Sequence, residues 1–237
     1  MQRQDDFDWA VYDELYESEL NDIAAVHTQI LLGDEYAFDS GTLSQVAGNR
    51  KPLHPNHRLL YETILQLAPE TVCEFGCGGG DHLHNLSRLD PTLVLSGFDR
   101  SRAQLRLLRR RHPELNASVR LSDITRAQPK GYSPVDIAFT QAVLMHMQTG
   151  RNHLEGLANL FRSARSAVIL MENWTRHPFL DDIRTLESAG IIPWDDLHIY
   201  YRESPEFARP HIMVASSVEL PDLPELREYA TLLDPLR

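Results

Sequence analysis

Residues 74–80 read Glu-Phe-Gly-Cys-Gly-Gly-Gly, four glycines in five positions behind the apolar run TVCEF. Glycine reaches backbone angles closed to other residues and lets a ligand come close to the main chain. Such turns serve nucleotides of several kinds, so the flanking residues decide which. A phosphate-binding loop needs Gly-Lys-Ser/Thr at the helix start, whereas Gly80, Asp81 and His82 stand here. A dinucleotide fingerprint wants glycine at position 81. An acid there is expected to repel phosphate from the helix start, so the ligand should present none at that point. Further polar groups stand at the ends of later strand-like runs. Asp99 closes LVLSGFD, 19 residues after Gly80, and Arg100 follows it; Asp123 and Ile124 follow ASVRL; Gln141 ends VDIAFTQ. His146 comes five residues later, and an imidazole there could take a proton from a reacting hydroxyl or amine.

Other side chains able to meet a substrate lie in loops. Tyr36 falls in the stretch 33–55, and His54 and His57 sit in KPLHPNHRLL. Glu172, Asn173, Trp174 and His177 follow a fifth run in MENWTRHP. Each histidine or acid here could equally be a cap or a surface group, and Trp174 a core-edge aromatic. Cys73 and Cys77 form C-x3-C without further metal-ligand spacing around them, so both read as small apolar fillers.

The elements that must position these residues alternate in type. TVCEF is strand-like, and GGDHLHNLSRL a helix. LVLSGFD is a strand, and SRAQLRLLRRRH a helix with Ser101 near its cap. ASVRLSD and VDIAFTQ are strands, RNHLEGLANLFRSA a helix, SAVILMEN a strand, and FLDDIRTLESAG a helix ending on Gly190. Strands joined through helices imply a parallel sheet covered on both faces. DLHIYYRES and PHIMVASS have no helix between them and should pair as an antiparallel hairpin. The expected fold is therefore α/β: a doubly wound, seven-stranded, mainly parallel sheet with a C-terminal antiparallel hairpin.

Ahead of it, residues 5–32 carry an amphipathic helical pattern, and the first 22 residues hold eight acids and one base. Residues 33–55 look like a loop with at most one helical turn. Asn56 is expected to cap the helix HRLLYETILQLA, which Pro69 closes. The expected division is an N-terminal helical cap over 1–55 and the sheet domain over 56–237. The six arginines between Arg100 and Arg111 read as a solvated helix face with Leu105 and Leu108 turned inward.

With 34 acidic against 23 basic residues the chain carries a formal charge of −11, which disfavours a nucleic-acid backbone or an anionic membrane as main partner. No signal peptide or long apolar run is visible, so a cytoplasmic location is expected. A homodimer stays open.

The heptapeptide Glu74–Gly80 matches E/D-x-G-x-G-x-G and resembles the first motif of class I S-adenosylmethionine-dependent methyltransferases. The resemblance extends over roughly residues 56–216. It implies S-adenosylmethionine as cofactor, with Glu74, Gly76, Cys77, Gly78 and Gly80 around its amino-acid end, and Asp99 and Arg100 at the ribose. Asp123 and Ile124 would meet the adenine, and Gln141 the methionine part. Among acceptor-side residues it implies His146 as base, with Tyr36, His54, His57, Trp174 and His177 lining a small-molecule acceptor site. The run Asp136–Gln141 lacks the second acid of catechol-type enzymes, so no metal is expected. VDIAFTQA replaces the Asn-Pro-Pro-Tyr-type tetrapeptide of DNA-base and protein-amide methylases. A cofactor-binding partner subunit, an RNA or protein methyltransferase and a nicotinamide-dependent oxidoreductase are the alternatives.

Overall fold

The structure, a computed structural model, describes residues 29–33, 35–46, 52–126, 132–147, 150–204 and 212–228. Seven strands between Thr71 and Ser216 form the expected sheet, parallel except for the C-terminal hairpin. The chain divides into two compact units, which meet in sequence between Asp123 and Ile124.

The first unit departs from expectation at its start. Strands β1 (Tyr36–Asp39) and β2 (Thr42–Gln45) form an antiparallel hairpin where a loop was expected. Its two-residue turn, Ser40 at φ +50° and Gly41 at φ +82°, has the paired left-handed geometry that suits the strand twist. Leu43 is buried, and its amide donates to Glu62 Oε1 at 2.8 Å. Of the helix expected over 5–32, residues 5–28 lie outside the described residues, and 29–32 are not helical. Helix α1 (Pro55–Gln66) is capped by His54, not Asn56: His54 Nδ1 accepts from the Asn56 amide at 3.3 Å. Pro55 occupies the first helical position, where its missing N–H costs nothing.

Strand β3 (Thr71–Phe75) leads to α2 (Asp81–Leu89), β4 (Val94–Asp99), α3 (Arg102–Arg111) and β5 (Ala117–Leu121). These three strands run parallel in the order β5-β4-β3, with Phe75 opposite Phe98 and Asp99 opposite Leu121. Val72, Cys73, Glu74 and Phe75 are all buried, as the unbroken TVCEF run implied. Ser101 caps α3, its Oγ accepting from the Gln104 amide at 3.2 Å, while Leu105, Leu107 and Leu108 point inward.

The second unit holds β6 (Val135–Gln141), a 3₁₀ turn at Leu144–His146, α4 (Asn152–Ser163), β7 (Ala164–Met171), α5 (Phe179–Ser188), β8 (His198–Arg202) and β9 (Ile212–Ser216). Strands β6 and β7 pair in parallel, with Gln141 opposite Met171. The hairpin is antiparallel as expected, and β9 inserts between β7 and β8. Gly190, at φ +67°, ends α5 with its amide on the Glu187 carbonyl at 2.8 Å. Among the described residues, no helix is long and apolar enough to cross a membrane.

Candidate cofactor and acceptor sites

In the first unit the glycine turn hangs from β4. The amides of Gly76 and Cys77 donate to the Phe98 carbonyl at 2.7 and 3.0 Å, and the Gly78 amide donates to Asp99 Oδ2 at 2.8 Å. The other Asp99 oxygen accepts from the Ser101 amide at 2.7 Å. Asp99 is thus brought to the turn as the sequence implied, but as a clamp on two amides.

Two glycines in the turn differ in what they make room for. A Cβ on Gly80 would lie 2.5 Å from Leu108 Cγ, so this residue lets α3 pack closely. A Cβ on Gly78 would meet only Gln104 Oε1, at 3.6 Å. The open approach is therefore at Gly78, and Gly80 belongs to packing. Cys77 is buried and its Sγ lies against Gly97, so only its backbone can face a ligand.

Glu74 is 2% exposed, and its Oε2 is buried without a hydrogen-bond partner. Burial, followed by the nearby charges of Asp81 and Asp99, pushes its carboxyl well above the usual carboxylate range. An ammonium group would complete this oxygen.

Asp81 corrects the argument from its position. Its Oδ1 lies 3.0 Å from Arg111 Nε and 2.7 Å from His112 Nε2, so its charge is taken up by the end of α3. It no longer weighs against phosphate at the helix start.

Around α1 the acceptor-side candidates separate. The Tyr36 hydroxyl accepts the Leu53 amide at 2.9 Å, which holds the loop. His54 is exposed at its cap. His57 is buried, its ring centroid 5.2 Å from that of His54 and 4.9 Å from that of His82. Burial first, then the His82 and His54 rings, push it down to about 2, so it stays neutral at physiological pH. Sequence reasoning missed the network beside it. The Tyr61 hydroxyl accepts from Asn85 Nδ2 at 2.9 Å and shares a hydrogen bond with His82 Nδ1 at 2.8 Å. Asn85 also ties residues 29–31 to α2, through the Gln29 carbonyl and the Leu31 amide. Polar residues at the buried positions of two amphipathic helices were the available signal. Arg100 is exposed, and Asp123 is half-buried after β5.

In the second unit Ile124 is buried, and Asn159 Nδ2 donates to its carbonyl at 2.7 Å and to that of Arg126 at 2.9 Å. Gln141 is half-buried at the end of β6. The chain then passes through Ala142, at φ +53°, into the turn that carries His146. His146 is half-buried, and burial followed by the Arg176 guanidinium holds its pKa below the ordinary histidine value. The Glu172 carboxylate catches this turn. It accepts from the amides of Val143 at 3.0 Å, Leu144 at 3.2 Å and Met145 at 3.0 Å. Trp174 is buried. His177 stacks on His153 with centroids 4.1 Å apart. Among the described residues, no group of three or more His, Cys, Asp or Glu side chains is arranged to hold a metal ion.

Residues 72–166, a stretch holding the glycine turn, Asp99 and the His146 turn, match the family model described as a methyltransferase domain. This stretch is similar to a methyltransferase domain. Two solved structures agree in fold. A TehB-like S-adenosylmethionine-dependent methyltransferase from Corynebacterium glutamicum has a TM-score of 0.56 and 15% identity, over 92% of this chain and 100% of that one. The methyltransferase domain of a bacterial CtHen1 has a TM-score of 0.52 and 19% identity, over 69% of this chain and 98% of that one. CalS10, an amino pentose methyltransferase of Micromonospora echinaspora, has a TM-score of 0.45 and 18% identity, over 52% of each chain, so only about half of that enzyme's length is spanned. No curated protein sequence matches the chain.

Proposed function

We propose that the methyltransferase domain binds S-adenosylmethionine and passes its methyl group to an oxygen or nitrogen of a small-molecule acceptor, without a metal ion. The observation that carries this is the glycine turn clamped by Asp99 beside the unpartnered, buried Glu74 oxygen. The residues present fit the cofactor: the buried, unpartnered Glu74 oxygen can take an ammonium, the main chain at Gly78 is open, and Asp99 stands at the end of β4 for ribose hydroxyls. When bound, the cofactor supplies a methyl group activated on a sulfonium. Glu74 then holds the amino-acid end and Asp99 the sugar. Asp123 and Ile124 would serve the adenine, and Gln141 the methionine part. His146 is neutral at physiological pH because burial and Arg176 disfavour its charged form, so it can accept the acceptor's proton. Tyr36, His54, His57, Trp174 and His177 are the residues proposed for the acceptor side.

Calorimetry with S-adenosylhomocysteine and, separately, NAD tests the cofactor. The first should bind and the second should not; NAD binding alone would instead indicate an oxidoreductase, which the paired Asp81 no longer argues against. Methylation across a metabolite panel tests the acceptor class, and binding without turnover there would favour a partner subunit. With an acceptor found, His146→Ala should slow turnover while leaving cofactor affinity near normal, and an unaltered rate would remove His146 from the chemistry.

A further inference from the structure

We propose that Glu172 is a positioning residue for His146, gripping the amides that open its turn so that the imidazole is held in one direction. The inference rests on His146 as the proton acceptor. Glu172 follows β7 and is 4% exposed. Both of its oxygens are occupied. Oε1 accepts from the Val143 and Leu144 amides, and Oε2 from the Met145 amide, with Val143 also within 3.2 Å of Oε2. Donors at the start of a helical turn have no partner within the turn, and a carboxylate there is favoured by the aligned peptide dipoles. A buried acid is costly in an apolar site, and burial does raise the Glu172 carboxyl above its usual range, with the Val143 amide the largest opposing influence.

Two other contacts fix the same turn. The carbonyls of Leu144 and Met147 lie close enough to the His177 ring to favour its charged form, so this ring faces the acceptor side of the turn. Gly156 on α4 lies so close that a Cβ there would sit 2.8 Å from Leu144 Cδ2 and 3.7 Å from Met147 Sδ. The backbone enters this arrangement through the left-handed Ala142, whose amide still donates to the Met171 carbonyl at 3.0 Å. Three elements of one unit thus hold a turn of three residues. Glu172 holds the amides that open the turn, so its action on the imidazole runs through the backbone.

The test uses the full chain with ¹⁵N amides and ¹³Cε1-labelled histidines. In the unaltered protein the amides of Val143, Leu144 and Met145 should be protected from exchange; exchange at the free rate would overturn the proposal without any variant. Glu172→Gln keeps the shape but turns an NH2 group toward a donor, so protection there should fall more than about tenfold. The His146 resonance should shift and its titration midpoint should move toward the ordinary value, as the ring gains water. Loss of amide protection with an unchanged His146 titration would leave Glu172 a structural residue only. Once an acceptor is in hand, Glu172→Gln should lower kcat in the wild-type background and add nothing in His146→Asn; an equal loss in both backgrounds counts against it. Failure of S-adenosylhomocysteine to bind would remove the methyltransferase function and leave the exchange and titration data to decide the grip on the turn.

Discussion

Replacing Glu74 by glutamine should move two measurements in opposite directions. The native carboxyl is buried at 2% exposure with one oxygen unpartnered, and its pKa is raised by burial and by Asp81 and Asp99. A carboxyl whose folded pKa lies above its unfolded one contributes stability that is complete below the unfolded value and is lost as pH rises through the folded one. The free wild-type protein should therefore lose thermal stability relative to Glu74→Gln as pH rises from about 4.5. Cofactor affinity should go the other way. An ammonium on the Glu74 oxygen is a charge-assisted hydrogen bond, of the class contributing about 1.5–3 kcal/mol, so the variant should bind S-adenosylhomocysteine roughly ten- to a hundredfold more weakly. Wild-type binding should also release a proton, read as a dependence of the calorimetric heat on the buffer's ionisation enthalpy, and the variant should release none. Thermal melts from pH 5 to 8.5 with calorimetry at pH 7.5 decide the matter. Binding within twofold of wild type, with lower stability of the free variant at high pH, would refute the reasoning.

Asp99→Ala removes the acceptor of the Gly78 and Ser101 amides as well as the group proposed for the ribose. Cofactor affinity should fall by more than about 1 kcal/mol by calorimetry, and unchanged affinity would end that assignment. Gly80→Ala combines a left-handed φ of +79° with a Cβ placed 2.5 Å from Leu108 Cγ. Left-handed strain of about 1–2 kcal/mol and overpacking of about 1–3 kcal/mol should lower the melting temperature by roughly 5–15 °C, and a shift under about 2 °C would show that α3 gives way freely.

What the sequence revealed and what it hid divide by distance along the chain. Periodicity and local punctuation located the alternating strands and helices, the Ser101 cap, the Gly190 stop and the antiparallel C-terminal pair. Asp99 was legible because a strand end fixes where its last side chain falls. The hairpin at Tyr36–Gln45 was not, because four-residue strands around a Ser-Gly turn give too little alternation to register. Asn56 looked like the cap by type, but Pro55 is suited to the first helical position and moves the cap back to His54. The pairing of Asp81 with Arg111 and His112 was hidden for a different reason: the partners lie about thirty residues away, on a helix whose arginines all looked solvent-facing. Glu172 was visible as an acid after a strand, yet only the fold shows that three amides from another strand's end converge on it.

Because a single carboxylate both suspends the Gly78 loop and is proposed to recognise the sugar, nucleoside preference cannot drift independently of loop architecture. A lineage exchanging Asp99 for a residue that welcomes a 2′-phosphate would first have to find another anchor for Gly78 and Ser101. Ligand choice here is tethered to backbone integrity, and attempts to re-engineer it should begin by supplying that substitute anchor.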